Sequence, residues 1–124
     1  MTYKGAPLMS VNQTWGTPQI FMTYLEDTFG FVADLDAAAS VHNAKAGQYY
    51  TEEDNSLTKN WFGNVWLNPP FGKVMLPAFL EKCRDEIAYG NCERIFALVP
   101  ARTDTKWFHE IVMPEADIIY LIKG

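Results

Sequence analysis

The stretch Val65-Trp66-Leu67-Asn68-Pro69-Pro70-Phe71-Gly72 decides how the rest of the chain is read. Val65, Trp66 and Leu67 suit a buried strand, and the tandem prolines stop it, because each removes a backbone donor that a central strand needs. Leu76, Phe79, Leu80, Cys83 and Ile87 then recur at helical spacing, with Pro77 in the first turn and Gly90 closing the helix. Strand, abrupt turn and amphipathic helix together predict a βα unit.

The same alternation extends in both directions. Upstream, Thr17 offers a capping hydroxyl and Pro18 a first helical residue, and Ile20, Phe21, Tyr24 and Leu25 follow at helical spacing up to Gly30. Phe31–Leu35 reads as a buried strand running into the carboxylates of Asp34 and Asp36, followed by the small residues Ala37, Ala38, Ala39 and Ser40. From His42 to Lys59 the chain is polar and rich in turn formers, which predicts mostly loop; a loop of that length in a small domain points to function. Downstream, Arg94–Val99 is a strand ended by Pro100, Asp104–Val112 a short helix capped by Asp104, and Asp117–Ile122 a fourth strand. Strands alternating with helices imply an α/β fold with a Rossmann-like, doubly wound, mostly parallel sheet. Residues 1–14 lack periodicity and are expected to be a flexible tether, leaving 15–124 as one domain.

With 124 residues, 48% of them hydrophobic, there is material for one core and no separate second domain. A formal charge of −5 argues against a protein held to nucleic acid by bulk electrostatics, although it leaves room for a local basic surface. Cys83 and Cys92 have neither zinc-site nor CxxC spacing, and His42 and His109 do not complete a ligand set, so no metal is expected and both thiols read as free and buried. No run is long enough to span a bilayer and no signal peptide is visible, so a cytoplasmic protein without membrane contact is expected.

In a doubly wound sheet, ligands bind beyond the carboxyl ends of the strands. Asp34 and Asp36, then Asn68–Phe71, then Pro100–Asp104 all fall at that edge. A rigid turn accounts for the two prolines but leaves Asn68 and Phe71 as coincidence. A functional site uses all four: the Asn68 amide oxygen and the Pro69 carbonyl can accept the hydrogens of a planar amino group, and Phe71 can stack on the ring that bears it.

Asn68-Pro69-Pro70-Phe71 resembles the amino-methyltransferase signature Asp/Asn-Pro-Pro-aromatic, and its setting resembles the phage-type Dam family of DNA N6-adenine methyltransferases. The likeness extends to Trp15, Thr17 and Pro18, to Leu35-Asp36 with Ala37–Ala39, to Asn43-Ala44-Lys45, and to Tyr49-Tyr50-Thr51. It continues through Asp54, Leu57, Trp61 and Gly63, and through Val99–Thr105 with Trp107 and Phe108. The tetrapeptide alone also occurs in protein-glutamine methyltransferases; the ordered set of blocks is more specific.

The resemblance implies a minimal class I methyltransferase fold, S-adenosylmethionine as cofactor and adenine in DNA as substrate. It makes Asn68, Pro69, Pro70 and Phe71 catalytic. Trp15, Thr17, Pro18, Asp34, Asp36, Asn43 and Asp54 become the cofactor set, with Asp36 pairing with the methionine ammonium. Thr17 is equally well explained by helix capping, and Asn43 and Asp54 by Asx turns. One departure is that Ala37–Ala39 replace the usual glycine-rich turn, so that cofactor contact is either made by alanines or rearranged along residues 42–54. Lys73, Arg102, Thr103, Lys106 and Trp107 form the expected DNA surface, small and positive, where a snorkelling lysine and a core tryptophan serve nearly as well as explanations.

Two other readings remain open on the sequence. One keeps the chemistry but changes the amino group, to RNA adenine, cytosine N4 or protein glutamine; the other is a non-catalytic interaction domain. Phage or prophage origin, and a role in genome marking or protection from restriction, are what the family likeness implies. Four strands are fewer than a methyltransferase sheet has, which leaves either C-terminal truncation or assembly into a homo-oligomer. Without a target-recognition domain, DNA specificity is expected to be low.

Overall fold

A computed structural model describes residues 2–4 and 17–122 of the chain. The strands are β1 (Thr2–Lys4), β2 (Leu35–Asp36), β3 (Gln48–Tyr49), β4 (Gly63–Leu67), β5 (Cys92–Ala97) and β6 (Tyr120–Ile122). The helices are α1 (Gln19–Phe29), α2 (Met75–Ala88) and a π-helical turn, Phe108–Val112, that runs on into the short α3 (Met113–Glu115). Four strands form one sheet in the order β3-β2-β4-β5, every pair parallel, as the doubly wound reading requires.

Alternation along β4 divides the interior between the two faces of the sheet. Val65 and Leu67 join Leu35, Leu76, Phe79, Leu80, Phe108 and Ile111 on the face covered by α2 and the π-helical turn. Trp66 points the other way, into a cluster with Met22, Leu25, Phe31 and Leu98 under α1. Gly30 ends α1 in the left-handed conformation at φ 64°, its N–H on the Glu26 carbonyl. Arg94 of β5 then donates to the Phe29 and Gly30 carbonyls at 2.9 and 3.1 Å, fixing the helix end to the sheet.

Several expectations are corrected. The first sheet strand is Leu35–Asp36 and not Phe31–Leu35: Phe31 is a core side chain, and Asp34 makes only an isolated backbone bond to Asn64 at 2.7 Å. Residues 42–59 are mostly loop, as expected, with one addition: Gln48–Tyr49 pairs with Leu35–Asp36, and 3-10 turns form at Glu52–Asp54 and Ser56–Thr58. A two-residue edge strand with both side chains exposed has no apolar alternation to betray it. The β2–β3 crossover accordingly contains turns in place of a helix.

Pro18 is the residue before α1 and not its first helical residue, and Thr17 supplies no cap bond. Ile20 is 81% exposed, and in α2 Glu86 is buried while Ile87 faces solvent. Thr105, not Asp104, offers its hydroxyl to the Phe108 N–H at the start of the π-helical turn. Tyr120–Ile122 leaves the main sheet and pairs in parallel with Thr2–Lys4, so the expected tether is a strand over those three residues. The remainder of the tether, residues 5–14, lies outside the described residues. Both cysteines are free, Cys83 buried and Cys92 half-buried. No helix among the described residues is long and apolar enough to cross a membrane.

Candidate active site

β2 and β4 are neighbours whose partners lie on opposite sides, β3 beyond β2 and β5 beyond β4. Chains leaving their carboxyl ends diverge, and a crevice opens at this switch point. A cavity of about 540 Å³ occupies it, walled by Asp36–Ser40 after β2 and by Asn68–Phe71 after β4. Thr17 contributes from the segment before α1, Trp66 from β4 and Phe79 from α2, and Asn43, Lys45, Thr51, Glu52, Asn55 and Ser56 from the long connection. The volume lies within the roughly 300–1,000 Å³ of small-molecule sites.

Asp36 is only 3% exposed. Its Oδ2 accepts the Lys45 N–H at 2.9 Å and its Oδ1 the Ala38 N–H at 3.2 Å. Burial raises the carboxyl above its ordinary pKa, opposed by those two backbone donors and the Lys45 charge. A carboxylate offers about four lone-pair sites, so two backbone bonds leave capacity for a cationic ligand. Asp36 therefore closes the turn that replaces a glycine-rich loop and lines the cavity as well.

Asn68 stands half-buried at the end of β4, with Nδ2 3.5 Å from the hydroxyl of buried Thr17. In this orientation the amide nitrogen faces Thr17, and the amide oxygen can accept from a ligand. Pro69 is buried and Pro70 exposed, and their ring-locked φ angles hold the carbonyls after Asn68 in place. Phe71 is half-buried against the α1-side cluster and lines the cavity.

The opposite wall is set by a hydrogen-bonded frame. Asp54 accepts from the Thr51 N–H at 2.8 Å and the Thr51 hydroxyl at 3.1 Å, and these bonds hold its carboxyl below the usual range. Asp54 is therefore a capping residue outside the cavity, and the neighbouring Glu52 and Asn55 face the space it was expected to serve. Trp61, 2% exposed, donates its indole N–H to Ser56 Oγ at 3.0 Å and stacks on Phe79; both partners line the cavity. Buried Glu86 accepts the Trp61 backbone N–H at 3.3 Å and the ammonium of Lys82 at 2.6 Å.

Of the expected cofactor set, the cavity brings together Thr17, Asp36 and Asn43 with all four residues of Asn68–Phe71. Asp34 is elsewhere: its carboxylate accepts the Asn64 N–H at 2.8 Å at the start of β4, beside Gly63, away from the strand ends that hold the cavity. Exposed Pro18 does not line the cavity, and Trp15 lies outside the described residues. Lys45, Thr51, Glu52, Asn55 and Ser56 are additions. Lys45 and Thr51 stand in blocks on which the family resemblance rests, whereas the other three carry no signal beyond lying in a long polar segment.

A second cavity of about 740 Å³ adjoins the first and shares Phe71 as a wall. Lys73, Arg102, Lys106 and Trp107 line it, which gathers four of the five expected substrate residues. Thr103 sits on the exposed turn outside both cavities. The turn is built by Thr105, whose hydroxyl donates to the Arg102 carbonyl at 2.7 Å.

A family model described as DNA N-6-adenine-methyltransferase (Dam) matches residues 6–124. The chain is 37% identical over 123 residues to a protein of Escherichia phage T1 named DNA N-6-adenine-methyltransferase, covering 96% of this chain and 49% of that one. It is 31% identical over 122 residues to a protein of the same name from Haemophilus phage HP1, covering 98% of this chain and 69% of that one. The chain thus spans about half the length of the first relative and two thirds of the second. No solved structure matches it.

Proposed function

Because the chain belongs to the DNA N-6-adenine-methyltransferase (Dam) family, we propose that it transfers a methyl group from S-adenosylmethionine to the N6 amino group of adenine in DNA. The observation that carries this reading is the convergence of Asp36 and Asn68–Phe71 on one cavity at the switch point of the sheet. The residues fit the cofactor: a buried carboxylate suits its ammonium, and apolar and aromatic surface from Trp66, Phe71 and Phe79 suits its adenosine and thioether parts. Thr17, Asn43, Glu52 and Asn55 supply hydroxyl, amide and carboxylate groups around the same space.

When bound, S-adenosylmethionine supplies a methyl carbon on positively charged sulfur, which departs as a neutral thioether. The protein's task lies with the nucleophile. The adenine amino lone pair is delocalised into the ring and attacks poorly. Asn68 Oδ1 and the Pro69 carbonyl, accepting the two amino hydrogens, favour a pyramidal nitrogen and stabilise the positive charge that develops there. Phe71 holds the ring by stacking, so that rate comes largely from alignment. The proton leaves after charge has formed, and no general base is needed before attack.

Duplex DNA presents its adenine inside the stack, and rotating it out costs a few kcal/mol. Lys73, Arg102 and Lys106, which line the second cavity with Phe71, would hold phosphate, and half-buried Trp107 would offer an aromatic surface for the gap or for a neighbouring base. Incubation with labelled S-adenosylmethionine and, in parallel, unmethylated DNA, RNA or protein, followed by nucleoside and amino-acid analysis, tests the proposal. Label in N6-methyladenine is expected; label in N4-methylcytosine, or only in RNA or protein, would replace the substrate.

A further inference from the structure

The second cavity is positive, yet two carboxylates line it, those of Glu81 and Glu110. Glu110 is matched by Lys106, one helical turn away at 4.0 Å. Glu81 is not matched. The cations that share its helix are engaged elsewhere, Lys82 with Glu86 at 2.6 Å and Arg84 with Asp85 at 3.3 Å. Among the described residues, no ion pair or hydrogen bond reaches the Glu81 side chain. It stands four residues after Pro77, and both line the cavity from the same face of α2.

A lone carboxylate is out of place where phosphate is to be held, since it repels the backbone that Lys73, Arg102 and Lys106 attract. It is well suited to a base edge. Carboxylates accept from exocyclic amino groups, which cytosine, adenine and guanine carry and thymine lacks. The cavity shares Phe71 as a lining residue with the proposed adenine site, so a nucleotide entering it would be a close neighbour of the target.

Building on the proposed DNA activity, we infer that this cavity is a subsite for a nucleotide flanking the target adenine, and that Glu81 selects there for a base with an exocyclic amino group. Lys73, Arg102 and Lys106 hold its phosphate, and Trp107 packs against its ring. Sequence preference at that position then resides in one acidic side chain on α2.

The test is methyl transfer to short duplexes, read by position at one target adenine, with the base on each side of it varied in turn. Wild type is compared with Glu81→Gln and Glu81→Ala, and thermal melts verify that both variants fold. Wild type is expected to prefer cytosine, adenine or guanine over thymine at one flanking position by roughly tenfold, from the usual worth of one base contact. Both variants are expected to narrow that ratio to about twofold. An unchanged flanking profile in the variants, or none in wild type, overturns the role of Glu81 while leaving the DNA activity intact. Absence of adenine methylation by wild type on every duplex overturns the proposed activity itself, and this subsite with it.

Discussion

Asp36 Oδ2 accepts the backbone N–H of Lys45 at 2.9 Å, which ties the end of β2 to the far side of the connection that walls the cavity. The same carboxylate takes the Ala38 N–H, so Ala37–Ala39 can turn tightly without glycine. Burial sets the direction of its titration: the neutral form is favoured, and the pKa lies above the ordinary carboxylate value.

That direction predicts how cofactor affinity depends on pH. An ammonium beside Asp36 favours the ionised carboxylate, so binding should strengthen as pH rises through the raised pKa of the free protein and then level off. Binding near that pKa should release a proton. Titration calorimetry between pH 4.5 and 7 in two buffers of different ionisation enthalpy checks both points. Affinity independent of pH over this range would remove Asp36 from the ammonium site.

Asp34 and Asp36 look alike in sequence and have different work. Asp34 accepts the Asn64 N–H where Gly63, at φ +61°, starts β4, and a Cβ on Gly63 would fall onto the Asp34 carboxylate. Asp34→Ala is expected to lower stability by about 1 kcal/mol and leave cofactor affinity unchanged. Gly63→Ala should cost about 2 kcal/mol through left-handed strain and steric conflict together. Denaturant titration and calorimetry on the same variants check the pair of expectations.

Glu86 is a buried charge whose burial alone would raise its pKa. The hydrogen bonds from Lys82, Asn91 and the Trp61 N–H outweigh burial and hold the pKa below the usual value. A depressed folded-state pKa contributes stability at pH above the unfolded-state value, about 4.3, and this contribution is lost as pH falls through the folded-state value. Glu86→Gln should therefore cost about 2 kcal/mol at pH 7 and progressively less below pH 4. Urea melts of wild type and variant at both ends of this range measure the difference.

Much of this arrangement is legible in the sequence, for identifiable reasons. Val65–Gly72 announces itself because two prolines cannot continue a strand, and α2 because its apolar spacing is regular. The Asp36 and Asn68 positions follow from strand ends in a doubly wound sheet. What escapes is structure without periodicity: Gln48–Tyr49 is a two-residue exposed edge strand, and Tyr120–Ile122 pairs with a segment more than a hundred residues distant. Ile87 is misplaced by pattern reading because the paired carboxylate of Glu86 occupies the buried face in its stead, and Asp54 because a capping acid and a ligand acid look the same in one dimension.

The central claim is that Asn68 acts on the reacting amino group and not on cofactor binding. The most direct measurement is the single-turnover rate of methyl transfer to adenine-containing DNA by Asn68→Ala, beside its affinity for S-adenosylmethionine. The account predicts a rate lower by about 10²–10³ with affinity within about threefold of wild type, because the lost interaction belongs to the transition state. A variant that methylates adenine at the wild-type rate would contradict it.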